Sequence, residues 1–221
     1  MNEQNKLQAE PVIYQGQFGE FTITQSDRLG VKIYRSGLMV AAVCFAISTT
    51  LVLWPNTIEG FTSLLTPLYA CFCLGLGVSL VMIHIYLAIL HRLLQLFWLI
   101  GTTAAAWIAF TSSEPLAIAI YNDPIALFGI GFTFAALCGI YFKEAFCFNR
   151  LETKLLTPLV PVLILGHLFG WLSPYAESLL LATWAVLFMV FALRKAFQAI
   201  PDDIGDKSVF VYLKQQRSAQ A

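Results

Sequence analysis

The chain has 221 residues, 58% of them hydrophobic and only 12% charged, and its thirteen basic and thirteen acidic residues cancel to a net charge of zero. Soluble domains carry about 25% charged residues, so most of this chain does not face water, and nothing in the balance points to nucleic-acid binding. Six apolar runs of about 20 residues, each long enough to cross a bilayer, take up more than half of it and leave no room for a separate soluble domain of ordinary size.

Residues 1–11 read as a disordered polar lead. The first 35 residues contain Glu3, Glu10, Glu20 and Asp27 and no apolar core segment, so no cleavable signal peptide is expected and the first span acts as an uncleaved anchor. Val12–Phe18 and Phe21–Thr24 are β-prone runs on either side of Gly19-Glu20. Glycine in the first turn position suits a type II′ hairpin. An isolated hairpin is marginal in water and needs a partner. The tail run Val209–Leu213 supplies either a third strand or a short amphipathic helix on the membrane surface. Thr24 with Asp27 three residues on is an N-cap signal for a short helix over 25–35. That helix completes an N-terminal arm, 1–35, whose Arg28, Lys32 and Arg35 would lie near lipid head groups.

The first span is predicted over 36–54, closed by Trp54-Pro55-Asn56. The apolar stretch from Phe61 to Phe110 is too long for one crossing. With His91-Arg92 as its only central polar cluster, it is predicted to reverse around Ile89–Arg92, giving spans 65–88 and 93–111. Leu116–Tyr121 reads as an apolar interfacial piece between Glu114 and Asp123. The fourth span follows over 124–142, with Pro124 at a favoured first-turn position. The fifth, 156–172, has Pro158 and Pro161 in its first turns, and the sixth, 176–193, stops at Arg194-Lys195. The transmembrane domain thus covers 36–195, and a soluble tail covers 196–221.

This threading places all thirteen bases on one side: Lys6, Arg28, Lys32 and Arg35; Arg92; Lys143, Arg150 and Lys154; and Arg194, Lys195, Lys207, Lys214 and Arg217. The opposite loops carry Glu59, Glu114, Asp123 and Glu177 and no base. Basic residues resist translocation. The predicted fold is therefore an all-α, six-helix transmembrane bundle with both termini cytoplasmic and a small cytoplasmic N-terminal hairpin.

Candidate functional residues are few. His84, His91 and His167 are potential haem or pigment ligands, since facing histidines in a bundle can hold an iron from both sides. The turn separates His84 from His91, however, and His167 is expected near mid-membrane, offset from His84 by roughly 5–10 Å. A hydrogen-bonded histidine is the plainer reading, and no cofactor or metal is predicted. An ionisable residue at that depth still marks His167 as a candidate functional site. Lys143-Glu144 reads as an interfacial anchor or a proton-relay pair. Neighbours on a helix point about 100° apart and do not pair with each other, so Glu144 would meet a base elsewhere, such as Arg92. The small residues Gly131, Ala135 and Gly139, Gly166 and Gly170, and Gly75 with Ser79 read as helix-packing seams. The five cysteines lie in or beside apolar runs, away from oxidising loops, and Cys71-Phe72-Cys73 is no metal site. No nucleotide, zinc-protease or serine-hydrolase motif is present, so no catalytic residue is assigned.

Several strings together carry a likeness: Tyr14 to Thr24 (YQGQFGEFTIT), His84-Ile85-Tyr86, His91 to Gln95 (HRLLQ), Lys143 to Phe148 (KEAFCF) and Gly166-His167-Leu168. The chain resembles an uncharacterised family of integral membrane proteins of cyanobacteria and chloroplasts, a domain of unknown function. The resemblance covers most of the chain and implies a plasma- or thylakoid-membrane location, but no activity. The expected partners are the lipid bilayer and other membrane proteins. A non-enzymatic scaffold or assembly factor is the leading reading. The alternatives are a small-solute channel or transporter, which would need a polar cavity around His167 reached from both sides, and a haem- or pigment-binding redox protein.

Overall fold

A computed structural model describes residues 12–55 and 60–219. The polar lead 1–11 and the loop around Glu59 lie outside the described residues. Six of the helices are long and apolar enough to cross a membrane.

Two short strands, β1 (Ile13–Gly16) and β2 (Gly19–Thr22), pair antiparallel with Gly16 opposite Gly19. The turn is therefore Gln17-Phe18, not Gly19-Glu20. The two glycines flank the turn, and Gly19 takes the positive φ (139°). Thr24 then caps α1 (Gln25–Leu53): its hydroxyl accepts from the Asp27 amide, and the Asp27 carboxylate accepts from the Thr24 amide at 2.8 Å. The expected break between a short helix 25–35 and a span from 36 does not occur, because nothing from Arg28 to Ser36 interrupts the helical backbone. At 1.5 Å per residue α1 is about 43 Å long and outruns a hydrocarbon core of about 30 Å.

Helix α2 (Phe61–Met82) and helix α3 (Ala88–Thr111) are joined by the extended link Ile83–Leu87. The reversal thus comes earlier than the expected Ile89–Arg92. The polar cluster is not the turn but its cap. From the first turns of α3, the His91 ring nitrogen donates to the Leu80 carbonyl at 2.5 Å and the Gln95 amide donates to the same carbonyl at 3.2 Å. They occupy one of the carbonyls that the end of α2 leaves without an intrahelical partner. Ile83 and Ile85 point into the core from the link.

A short helix α4 (Leu116–Asn122) precedes α5 (Pro124–Phe148), which Asp123 caps and Asn149 ends with positive φ. Helix α6 (Leu151–Leu168) stops earlier than expected, at Gly170. The Trp171 amide donates to the Gly166 carbonyl and the Gly170 amide to the His167 carbonyl, the Schellman pattern with glycine in the left-handed position. Gly170 (φ 66°) is thus a helix terminator and not part of a packing seam; a Cβ there would meet no neighbour within 4 Å. Helix α7 (Pro174–Phe197) is followed by α8 (Ile200–Ile204) and α9 (Ser208–Ala219); the tail run Val209–Leu213 is helical.

The six long helices close into a ring in sequence order: α1 on α2, α2 on α3, α3 on α5, α5 on α6, α6 on α7, and α7 back on α1. The tightest approach is between α1 and α2. A Cβ on Gly37 would stand 2.5 Å from the Gly75 carbonyl, and one on Gly75 2.6 Å from the Gly37 carbonyl. Ser79 hydrogen-bonds across the same crossing to the Tyr34 carbonyl at 2.9 Å. Gly139 lies against Leu94 of α3, Gly131 faces Ile164 of α6 from further away, and Gly166 meets Leu172. Ala135 borders a surface groove between α5 and α6. The stripe on α5 therefore serves two neighbours rather than one seam. Buried residues from all six long helices, among them Leu38, Leu76, Leu94, Leu137, Leu156 and Phe188, form one core.

Candidate functional site

Both described terminal segments meet at one end of the ring, called here the terminal end; α4 lies at the other, distal end. At the terminal end the ring axis is filled by charge. Lys195, in the last turn of α7, and Glu144, in the last turns of α5, are each 0% exposed, and the ammonium donates to the carboxylate at 2.5 Å. Lys195 also contacts Asp203 of α8. Asp203 accepts from Arg35 of α1 at 2.8 Å, and the Arg35 guanidinium donates to the Gln198 and Ala199 carbonyls. The Tyr34 hydroxyl donates to Glu144 at 3.3 Å. The Lys195 ammonium sits 4.3 Å from the centre of the Phe148 ring, a cation–π contact. Buried charges are tolerated when paired and hydrogen-bonded, and this network ties α1, α5, α7 and α8 together at the terminal end. Arg194 and Glu152 pair beside it at 2.8 Å.

Glu144 does meet a base of another helix, but that base is Lys195. Arg92 is exposed on α3 and takes no part. Lys143 does pair with its neighbour, donating to Glu144 at 2.8 Å. The flexible four-carbon stem bends back round the helix, which the 100° separation alone does not anticipate. Lys195 and Asp203 escaped sequence reasoning because Arg194-Lys195 looks like the usual basic stop of a span. Periodicity held the signal: Trp184, Phe188 and Phe191 are buried, and Lys195 falls on the same helical face.

Next to this network the two terminal segments form a platform outside the bundle. The Gln17 amide donates to the Asp206 carboxylate at 2.6 Å and the Phe18 amide to the Ser208 hydroxyl at 3.0 Å. Phe18 stacks on Tyr212 of α9 with ring centres 4.0 Å apart, and Lys207 pairs with Asp27 at 2.7 Å. The bond from Gln17, followed by that from Ser208, holds the Asp206 carboxyl below the usual carboxylate range. His84, in the link between α2 and α3, is half-buried, and that burial lowers its affinity for a proton. Val12 and Ile13 are each 62% exposed on this platform.

At the distal end His167 lies in the last turn of α6, at the rim and not at mid-membrane, because α6 ends at Leu168. One ring nitrogen is 2.7 Å from Glu177 of α7 and the other 3.1 Å from the Tyr121 carbonyl of α4. The Tyr121 hydroxyl donates to the second Glu177 oxygen at 3.2 Å. Behind this triad lies a cavity of about 450 Å³ reaching Phe45, Tyr69, Phe134, Leu181 and Trp184. A smaller adjoining cavity of about 180 Å³ shares several of these walls. Deeper along the axis, Tyr141, Phe188 and Phe191 are buried and pack ring to ring. The three histidines thus occupy three separate places: His84 in the link, His91 capping α2, and His167 at the distal rim. Among the described residues no cluster of three His, Cys, Asp or Glu side chains is placed to hold a metal ion.

No curated protein and no solved structure matches this chain. Residues 78–212, more than half of its length, match the family described as "Uncharacterized integral membrane protein (DUF2301)". That stretch runs from late α2 into α9 and includes both His167 and the Lys195–Glu144 pair. With six helices of spanning length closed into one ring, the chain belongs to this family of multi-pass integral membrane proteins.

Proposed function

We propose that the chain is a non-enzymatic scaffold or assembly factor for other membrane proteins, threaded with its terminal end in the cytoplasm, or in the stroma if the membrane is a thylakoid. The orientation rests on charge: every base among the described residues falls in a segment that belongs to the terminal end, while Glu114, Asp123 and Glu177 belong to the other. The scaffold role rests on the platform. Its exposed Val12, Ile13 and Val211 lie outside the six spanning helices. The hydrogen bonds to Asp206 and Ser208 and the Phe18–Tyr212 stack fix this apolar edge to the bundle. A β1 edge fixed in this way suits strand addition by a partner protein, in which main-chain bonds give affinity and alternate side chains give selectivity.

Affinity purification from native membranes under several mild detergents tests this. Specific proteins should co-purify with the natural chain and be lost from an Ile13→Glu, Val211→Glu variant of unchanged thermal stability. Recovery of the protein alone in every detergent would overturn the role. A tag in the 114–123 loop found on the same face as the termini would overturn the orientation. A polar-solute channel draws less support, since Tyr141, Phe188 and Phe191 close the axis below the distal cavity. Axial haem ligation by two histidines has no facing pair among the described residues.

A further inference from the structure

The scaffold reading leaves the distal cavity unused. Its polarity runs in one direction. The deep walls are aromatic and aliphatic: Phe45, Tyr69, Phe134, Leu181 and Trp184. His167, Glu177 and Tyr121 gather at the rim, where Ser178 joins them, and the deep Tyr69 hydroxyl is spent on Thr133 at 3.1 Å. At about 450 Å³ it falls within the range of small-molecule sites, which pair apolar walls with a few convergent polar groups. It lies at the distal ends of the spanning helices, and an apolar void is costly to leave empty.

The rim chemistry defines the head group. The two ring nitrogens of His167 face two acceptors, the Glu177 carboxylate and the Tyr121 carbonyl. The Tyr121 carbonyl can only accept, so the nitrogen facing it donates, and the other shares a proton with the Glu177 carboxyl. The His167–Glu177 pair therefore carries no uncompensated positive charge to bind an anionic ligand. Glu114 and Asp123 stand on the same end of the bundle, which carries no Lys or Arg among the described residues. A phosphate head would meet no free base in the cavity wall, and the nearby Glu114 and Asp123 would add repulsion. A hydroxyl would find an acceptor, because a carboxylate offers about four lone-pair sites and Glu177 spends one on His167 and one on Tyr121. Helix α4 contributes Ala117, Ile120 and Tyr121 to the wall, so the strap from His167 to Tyr121 also holds that wall in place.

We infer that the distal cavity binds a membrane lipid with a long apolar chain and an uncharged, hydroxyl-bearing head, the chain running to Phe134 and Trp184 and the hydroxyl donating to Glu177. The test uses the full chain in phosphatidylcholine nanodiscs. It compares diacylglycerol with phosphatidylglycerol, each carrying the same photoreactive group at the end of one acyl chain, with labelled residues mapped by mass spectrometry. Diacylglycerol should label the stretches around Phe134 and Trp184 on the order of ten-fold more than phosphatidylglycerol, equivalent to about 1.4 kcal/mol of head-group discrimination. Excess unlabelled diacylglycerol should erase that labelling. Leu181→Trp should abolish it by filling the cavity, and Glu177→Gln should narrow the preference between the two lipids. Equal labelling by both lipids would overturn the inference. So would labelling that competitor does not reduce, or labelling confined to outward residues such as Trp107 and Phe128. The competition arm uses the natural chain and stands even where a variant fails to fold.

Discussion

The two halves of the ring axis are filled in opposite ways. At the terminal end the space between α1, α5 and α7 is occupied by Lys195, Glu144, Asp203 and Tyr34, bonded to one another within a few ångströms. At the distal end the same axis holds a cavity whose deep walls are mainly aromatic and aliphatic. The difference is one of tolerance. A charge out of water has a large desolvation cost unless its counter-charge and hydrogen bonds are in place, so the terminal half works only when its geometry is closely specified. Apolar walls accept any apolar filling. At about 24 cal/mol per Å³, a 450 Å³ void left empty would cost about 11 kcal/mol. That is comparable to the whole stability of a typical domain, so such a cavity is tolerable only when something apolar fills it.

The largest expected effect separates the two ends most sharply. Glu144→Ala leaves the buried Lys195 ammonium with only Asp203 and the Gln198 side-chain oxygen as partners and should cost about 3–5 kcal/mol, read as a loss of resistance to denaturation in detergent. The paired change Glu144→Leu, Lys195→Met should recover most of that loss, because well-packed apolar replacements of a buried ion pair are often neutral or better. A Glu144→Ala protein as stable as the natural chain would mean that this end is wet and not packed.

One substitution made at both ends sharpens the contrast. Leu137 is fully buried in the core, so Leu137→Trp overpacks it and should cost about 1–3 kcal/mol. Leu181 lines both cavities, so Leu181→Trp grows into space and should cost less than about 0.5 kcal/mol. Equal losses in the two denaturation curves would show that the distal half is as tightly filled as the rest.

How much of this was readable in the sequence depends on what each feature needed. The six spans and their common charged end follow from local composition, and the predicted spans overlap the observed helices. The helix ends moved where a cap, not a run, decides them. His91 and Gln95 closed α2 from the start of α3, and Gly170 ended α6 through two backbone bonds. The sites were less legible because their partners are distant in the chain. Lys195 meets Glu144 across 51 residues and His167 meets Tyr121 across 46, separations that no spacing rule connects. Lys195 alone had a local trace, its place on the buried face shared with Phe188 and Phe191.

A smaller effect is expected at the distal rim. Gly170 holds φ at 66°, and a side chain in that left-handed conformation costs roughly 1–2 kcal/mol. No neighbour stands near enough to add a clash, so Gly170→Ala should fall at the lower end of this range. Gly75→Ala, with a carbonyl 2.6 Å from its new Cβ, should cost more, since α1 and α2 must part to admit it. If the two variants denature alike, the distinction between a terminator glycine and a packing glycine fails.

The mildest effect belongs to the platform, where charge is used in water. Asp206 is a solvent-facing carboxylate whose pKa is held low by accepting from the Gln17 amide and from Ser208. A carboxylate with a depressed folded-state pKa adds stability that is complete above its free value and fades as pH falls through the folded one. Acidification should therefore release the hairpin from α9. The amide signals of Gln17 and Phe18 should titrate together below the usual carboxylate range, and Asp206→Asn should remove that titration. A midpoint at or above the ordinary carboxylate value would mean that Asp206 does not hold the platform, and the anchoring would then rest on the Phe18–Tyr212 stack and the Lys207–Asp27 pair.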